Sequence, residues 1–245
     1  MSDLLLDKRP EIKMGFFAHD DGIFAFYSRI RHLINADSVV VDFGAGRGLL
    51  GTLIPDHPKM SIVDLRSSAK RVIGVDIDPA VMENELLDEA HIIKNDNILP
   101  FADNSVDLIF ANWVLEHVEN PDNFMREMRR VLKPGGWFCA RTPNRWGYVG
   151  MAVTMIPNSL HVSLLRYLRP TIKSEDVFPT QYKMNSRGRI KKYLSPSEWD
   201  ASLFIINTIP RYYGNSSLLF SLIDFFQRIA PYGMRTDLMV FTQKI

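Results

Sequence analysis

A single cysteine, Cys139, stands among the 245 residues, so no internal disulfide can form. A lone cysteine inside the apolar run WFCART reads as a small buried core residue in a reducing compartment. Charge of one sign is also lacking. The 29 Lys and Arg residues nearly balance 28 Asp and Glu, for a formal net charge of +1. That balance gives no bulk electrostatic case for nucleic acid or for a strongly acidic partner. Apolar runs long enough to span a bilayer are missing. The opening MSDLLLDKRPEIK sets acids around a short apolar stretch, unlike the long apolar core of a secretory leader. Together these absences predict a cytoplasmic setting. Apolar residues make up 46% of the chain, enough for the core of one α/β domain with insertions.

The most informative run is VVVDFGAGRGLL, residues 39–50. Val39, Val40 and Val41 predict a strand covered on both faces, as in a parallel sheet. Gly44, Ala45, Gly46 and Gly48 follow as a turn whose backbone can approach a ligand closely. A helix after the turn would aim its free amide groups at the same space. The dinucleotide fingerprint G-x-G-x-x-G is absent, because Leu49 stands where its third glycine belongs. Asp42, just before the turn, opposes a pyrophosphate and suits a cationic ligand carrying an ammonium and a sulfonium.

At this point the chain resembles the class I S-adenosylmethionine-dependent methyltransferases, of the methyltransferase type 11-like group. RVIGVDIDPAV, residues 71–81, predicts a second strand ending at Asp76, with Pro79 at a helix start. The resemblance implies that Asp76, beside Ile77, accepts hydrogen bonds from a ribose diol, whereas Asp78 suits a helix cap. HIIKNDNILPFADNSVDLIFANWVLEHV, residues 91–118, matches the family's next stretch. It implies that Asp96 contacts the adenine amino group and that Asn97 and Ile98 lie along the ring. Val106 to Ala111 reads as the fourth strand, with Asn112 and Trp113 at its carboxyl end. Ligands in open α/β sheets bind beyond the carboxyl ends of the strands, where these acids and Asn112 all fall. NPDNFMREMRRVLKPGGWFCARTPN, residues 120–144, adds an amphipathic helix, a KPGG turn and a fifth strand, also typical of the family.

The implied fold is a Rossmann-like, seven-stranded, mostly parallel α/β sheet with helices on both faces and the last strand antiparallel. A helical lid is inserted in it. Residues 1–37 read as a helical extension, 38–145 as the S-adenosylmethionine-binding core, 146–202 as the lid, and 203–245 as the closing strands and helix. A leading helix is expected over 14–36, where Phe17, His19, Asp21 and Tyr27 could touch cofactor or substrate. Residues 55–70 read as an extended loop with a short turn near Ile62 to Leu65. Within the lid, helices are expected near 146–155, 160–168 and 186–194. Beyond it come strands over 203–213 and 236–243 and a helix over 216–230.

A sulfonium methyl is already electrophilic, so the protein mainly aligns an acceptor and excludes water. His117 is the candidate general base, since imidazole titrates near neutral pH. No metal is expected: Trp113 stands where quinone-pathway relatives carry an acidic ligand. The strand-four end lacks the Pro-Pro-aromatic signature of base methylation, which argues against nucleic acid as acceptor. TPNR, residues 142–145, resembles enzymes that methylate oxygen on small molecules, sugars or lipid-linked intermediates. The partner class is therefore a small-molecule, glycan or lipid-linked acceptor, with peripheral membrane contact left open by apolar runs such as LLFSLIDFFQRIAPYGM. Two alternatives stay open: a catalytically silent S-adenosylmethionine-binding regulatory or partner protein, and a nicotinamide-dependent oxidoreductase, against which Leu49 and Asp42 count.

Overall fold

A computed structural model describes residues 3–48, 59–94, 98–155, 180–214 and 216–245. Seven strands form one sheet: β1 (Val39–Phe43), β2 (Arg71–Asp76), β3 (Glu89–Ile92), β4 (Val106–Asn112), β5 (Leu132–Pro143), β6 (Trp199–Ile206) and β7 (Asp237–Lys244). Their spatial order is β3-β2-β1-β4-β5-β7-β6. The first five run parallel, while β7 lies antiparallel between β5 and β6. The order reverses at β1, so the crevice beyond β1 and β4 is a topological switch point.

Helices cover both faces. Helix α1 (Asp3–Lys8) leads the described chain, and α2 (Gly22–Leu33) packs Phe26, Tyr27 and Ile30 against Val40, Leu108, Phe110 and Phe241. Short α3 (Met60–Val63) falls in the loop before β2, near where a turn is expected. Helix α4 (Pro121–Val131) packs Phe124 and Met128 on the other face, against Ile109, Phe138 and Val240. Each such side chain contributes about 1.5–3 kcal/mol on burial. Asn120 caps α4 by accepting from Asn123 N–H, with Pro121 in the first turn. After β5 come α5 (Tyr148–Met155), α6 (Arg187–Ile190) and α7 (Ser217–Ile229). Cys139 is buried in β5 as expected, and burial raises its thiol pKa.

Several boundaries differ from the sequence reading. Helix α2 begins at Gly22, not residue 14, because Asp21 caps it by accepting from Ile23 and Phe24 N–H. Upstream, Pro10–Met14 is a separate 3-10 turn. KPGG is not a plain turn but a bulge inside β5: Val106 pairs with Leu132, then Leu108 with Trp137. Strand β6 starts at Trp199 and ends at Ile206, where Thr208 N–H leaves the ladder for Thr236 Oγ1. Helix 186–194 shrinks to α6 and a following 3-10 turn, Lys191–Tyr193. The helix expected over 160–168 lies outside the described residues.

Candidate cofactor and acceptor site

The turn after β1 is pinned to β2. Gly44 and Ala45 N–H donate to Val75 O at 2.8 and 3.3 Å. Gly46 N–H donates to Asp76 Oδ2 at 2.8 Å, and Asp78 N–H to Asp76 Oδ1 at 2.9 Å. Asp76 thus braces the glycine turn with one lone-pair site used on each oxygen, leaving capacity for further donors. Asp78 caps the next 3-10 turn through Ala80 N–H, as its sequence position suggests. Gly44 and Gly46 both adopt positive φ, 73° and 47°. A Cβ on Gly44 would overlap Val114, whereas one on Gly46 would meet only Asp76 Oδ2 at 3.9 Å. The backbone at Gly46 therefore faces open space, as a turn that admits a ligand requires.

Beyond this turn lies a hollow of about 160 Å³, open to solvent, that continues along apolar Val63, Leu65, Val72, Leu86 and Leu87. Its polar lining comes from Tyr27, Asp42 and Asn112, with the glycine turn supplying Gly44, Ala45 and Gly48. Tyr27 hydroxyl and Asn112 share a hydrogen bond, and burial, followed by the Asp42 charge, raises the phenol pKa. Burial first, then the neighbouring Asp76 carboxylate, pushes Asp42 up to about 8. Two carboxyls facing each other at the end of β1 and β2 make a site that gains from a bound cation. These donors and acids fit the ammonium, sulfonium and ribose of S-adenosylmethionine.

The other expected residues divide. Ile77 and Ile98 are exposed at the rim, and Trp113 sits at the end of β4 with φ 64°. Asp96 and Asn97 lie outside the described residues. Of the four residues singled out in the leading segment, Tyr27 reaches the hollow. Phe17 stacks on Phe24 at 3.9 Å, His19 pairs with Glu11, and Asp21 caps α2 and pairs with Lys59. His117 is half-buried, its N–H bonded to Val114 O at 2.9 Å.

Next to the hollow the structure gathers, around Trp113, a group whose charged members Arg141, Arg211 and Asp237 the sequence reading missed. Arg141, fully buried on β5, donates through Nε to Asp237 Oδ2 at 2.8 Å, and Arg211 reaches the same oxygen at 3.3 Å. Burial alone would raise Asp237, but the guanidiniums of Arg211 and Arg141 outweigh it and hold the carboxyl below its usual range. The Arg211 guanidinium lies 4.3 Å from the centre of the Trp113 ring, and Arg141 lies 5.7 Å from it. Trp113, Tyr182 and Tyr212 all hold left-handed backbone, φ 64°, 51° and 62°. Bulky residues adopt it only where the surroundings impose it, as functional sites do. Glu116 is buried and accepts from Thr142 Oγ1 at 2.7 Å, while Asn185 Nδ2 donates to that hydroxyl at 2.6 Å. Burial raises the Glu116 pKa against the lowering pull of His117. The one signal for this group was Arg141 itself, a charge inside the otherwise apolar strand WFCART.

Among the described residues no group of three or more His, Cys, Asp or Glu side chains could hold a metal ion. Residues 41–140 match the family model described as a methyltransferase domain. A protein of Mycolicibacterium smegmatis named "probable S-adenosylmethionine-dependent methyltransferase" is 35% identical over 122 residues, covering 49% of this chain and 43% of that one. A ubiquinone/menaquinone biosynthesis C-methyltransferase of Hahella chejuensis is 31% identical over 113 residues, 42% of each chain. The chain thus spans about two fifths of the length of these curated relatives. In fold it is similar to geranyl diphosphate C-methyltransferase of Streptomyces coelicolor, with a TM-score of 0.54 at 16% identity, covering 91% of this chain and 77% of that one. Over residues 41–140 the chain is thus similar to S-adenosylmethionine-dependent methyltransferase domains.

Proposed function

We propose that this protein transfers the methyl group of S-adenosylmethionine to an oxygen of a small-molecule, glycan or lipid-linked acceptor. The observation that carries this reading is the convergence of Asp42, Asn112 and the glycine turn on one hollow at the carboxyl edge of the sheet. When bound, the cofactor supplies an electrophilic methyl on a cationic sulfur. Asp42 supplies the opposing charge, and Asp76 offers its remaining lone pairs to the ribose hydroxyls. Trp113, next to Asn112 at the end of β4 and beside the guanidiniums of Arg211 and Arg141, orients the acceptor. His117 takes the acceptor hydroxyl proton on a ring nitrogen. Arg211, half-buried above Trp113, offers a cation to an acidic group on the acceptor. A cytoplasmic setting belongs to the same proposal and rests on the lone buried cysteine.

The direct test is release of S-adenosylhomocysteine when the protein is incubated with S-adenosylmethionine and fractionated sugar or lipid extracts. Acceptor-dependent release supports the proposal. Tight cofactor binding with no release from any fraction would leave the silent binding protein as the better reading. Replacing Asp76 by Ala removes a charged acceptor and a brace of the glycine turn. Cofactor affinity, measured by calorimetry, is expected to fall about tenfold or more. His117→Gln is expected to lower turnover by roughly a hundredfold or more with little change in cofactor affinity. Unchanged turnover would remove His117 from the base role.

A further inference from the structure

Helix α7 presents its apolar side to solvent. Its buried residues are Phe220 and Gln227, yet Leu218, Leu222, Phe225 and Ile229 are 70%, 56%, 61% and 64% exposed. Their spacing of four, three and four residues sets all four on one stripe about 16 Å long. A helix stabilised only by its own domain would turn that stripe inward.

The apolar surface continues past the helix end. Tyr232, 42% exposed, begins the next turn, and the loop carrying Trp146, 56% exposed, is fastened to that turn. Asn144 Nδ2 donates to Gly233 O and Arg235 O at 2.8 and 2.7 Å. Arginines flank both aromatic rings. Arg145 lies 5.9 Å from the Trp146 ring, and Arg187 and Arg235 lie 5.8 and 4.9 Å from the Tyr232 ring. Two carboxylates packed along α7 are already matched: Asp224 pairs with Arg9 and Arg228, and Asp20 with Arg9. The surface is therefore an apolar stripe ending in a rim of aromatics and cations.

We propose that α7, with Tyr232 and Trp146, docks this protein on an anionic lipid bilayer surface. Leu218, Leu222, Phe225 and Ile229 enter the acyl boundary. Trp146 sits at headgroup level, where amphipathic rings are favoured, beside the Tyr232 ring, whose hydroxyl is held by Ile205 N–H at 2.9 Å. Arg145, Arg187 and Arg235 meet lipid phosphates. A second copy is the poorer occupant, because the carboxylates along its own α7 are already paired and leave the arginine rim without an anionic counterpart. The Tyr232–Arg235 turn leads directly into Asp237, which pairs with Pro143 at the carboxyl end of β5. Docking therefore turns the edge of the sheet that bears Trp113 and Arg211 toward the membrane.

The test is co-sedimentation of the full chain with vesicles made of equal parts phosphatidylglycerol and phosphatidylcholine, and with pure phosphatidylcholine. The protein is expected to pellet with the anionic vesicles and to stay in solution with the neutral ones. Leu222→Asp/Phe225→Asp, exposed positions outside the cofactor site, should lower partition about tenfold or more while circular dichroism and cofactor binding stay unchanged. Arg187→Gln and Arg235→Gln should each lower it roughly fivefold. Failure of the intact, cofactor-binding protein to pellet with anionic vesicles overturns the proposal. So does a dimer in light scattering that Leu222→Asp dissolves, which would make a second copy the occupant. Vesicle binding is read without turnover, so this outcome is separate from that of the methyl-transfer assay.

Discussion

Arg141→Met is expected to cost about 3–5 kcal/mol of folding stability, the loss typical when one partner of a buried ion pair is removed. Arg141 and Asp237 are each at most 2% exposed, so neither charge can turn to water. Arg211 would remain on Asp237, but at 3.3 Å and itself 20% exposed, it is the weaker partner. Thr208 Oγ1, at 3.4 Å from the other carboxylate oxygen, adds little. At roughly 2–4 °C per kcal/mol for a chain of this size, the thermal midpoint should fall by about 6–20 °C. Arg141→Lys keeps the charge and loses the planar fork, so it should fall between wild type and Arg141→Met. The pH profile gives a second readout. Asp237 is held below its ordinary value of 3.8, so its stabilisation is present above that value and is lost as pH falls through the depressed one. Removing Arg141 raises the Asp237 pKa, and acid unfolding should begin at a higher pH. Thermal melts by circular dichroism between pH 3 and 8 would check both. A midpoint within 2 °C of wild type would show that Arg211 alone satisfies the buried carboxylate.

The contrast between Arg141 and Asp42 shows which parts of the site are legible in a sequence. Asp42, Gly44, Gly46 and Asp76 serve a turn whose chemistry is local, so their spacing along the chain carries the meaning. The bracing bond between Gly46 and Asp76 joins residues only 30 apart, from the turn after β1 to the end of the adjacent parallel strand β2. Arg141 meets Asp237 across 96 residues and depends on β7 entering the sheet antiparallel beside β5. Nothing near Arg141 announces that partner. The same limit governs Glu116, whose carboxylate is bound from β5 and whose carbonyl accepts from Gln181 and Tyr182 N–H.

Element boundaries follow a similar rule. The apolar strands were visible from their runs, but the start of α2 was set by the Asp21 cap rather than by the aromatic run that begins at Phe16. KPGG reads as a turn by composition, and it became a bulge because β4 offered a partner on both sides of it. Helix α7 is the sharpest case. Its apolar spacing predicts a helix correctly, whereas the direction that stripe faces is decided by Phe220, Gln227 and the Arg9–Asp224 pair on the inner side. Amphipathic period is a property of sequence; which face meets the core is a property of the packed domain.

Asp42→Asn is expected to stabilise the free protein and weaken cofactor binding together. Burial, then Asp76, raises the Asp42 carboxyl from 3.8 to about 8, so folding draws a proton onto it across that interval. Its contribution to stability is therefore fully present below about pH 4, declines as pH rises to about 8, and is flat above. Asparagine cannot ionise and escapes that decline. Discounted for partial exposure to the hollow, the gain at neutral pH should be about 1–3 kcal/mol, seen as a higher thermal midpoint of the cofactor-free protein. Cofactor affinity should move the other way. A cation in the hollow favours ionised Asp42, so binding below pH 8 expels the proton and affinity climbs with pH, by up to about tenfold per unit, before levelling. Asp42→Asn loses the opposing charge and should bind about 10–100-fold more weakly above pH 8. It should also lose most of that pH dependence. Calorimetric titration with S-adenosylmethionine in two buffers of different ionisation enthalpy reads the expelled proton directly. Identical proton release by wild type and Asp42→Asn would remove Asp42 from cofactor binding, and with it the electrostatic reason for an acid at the end of β1.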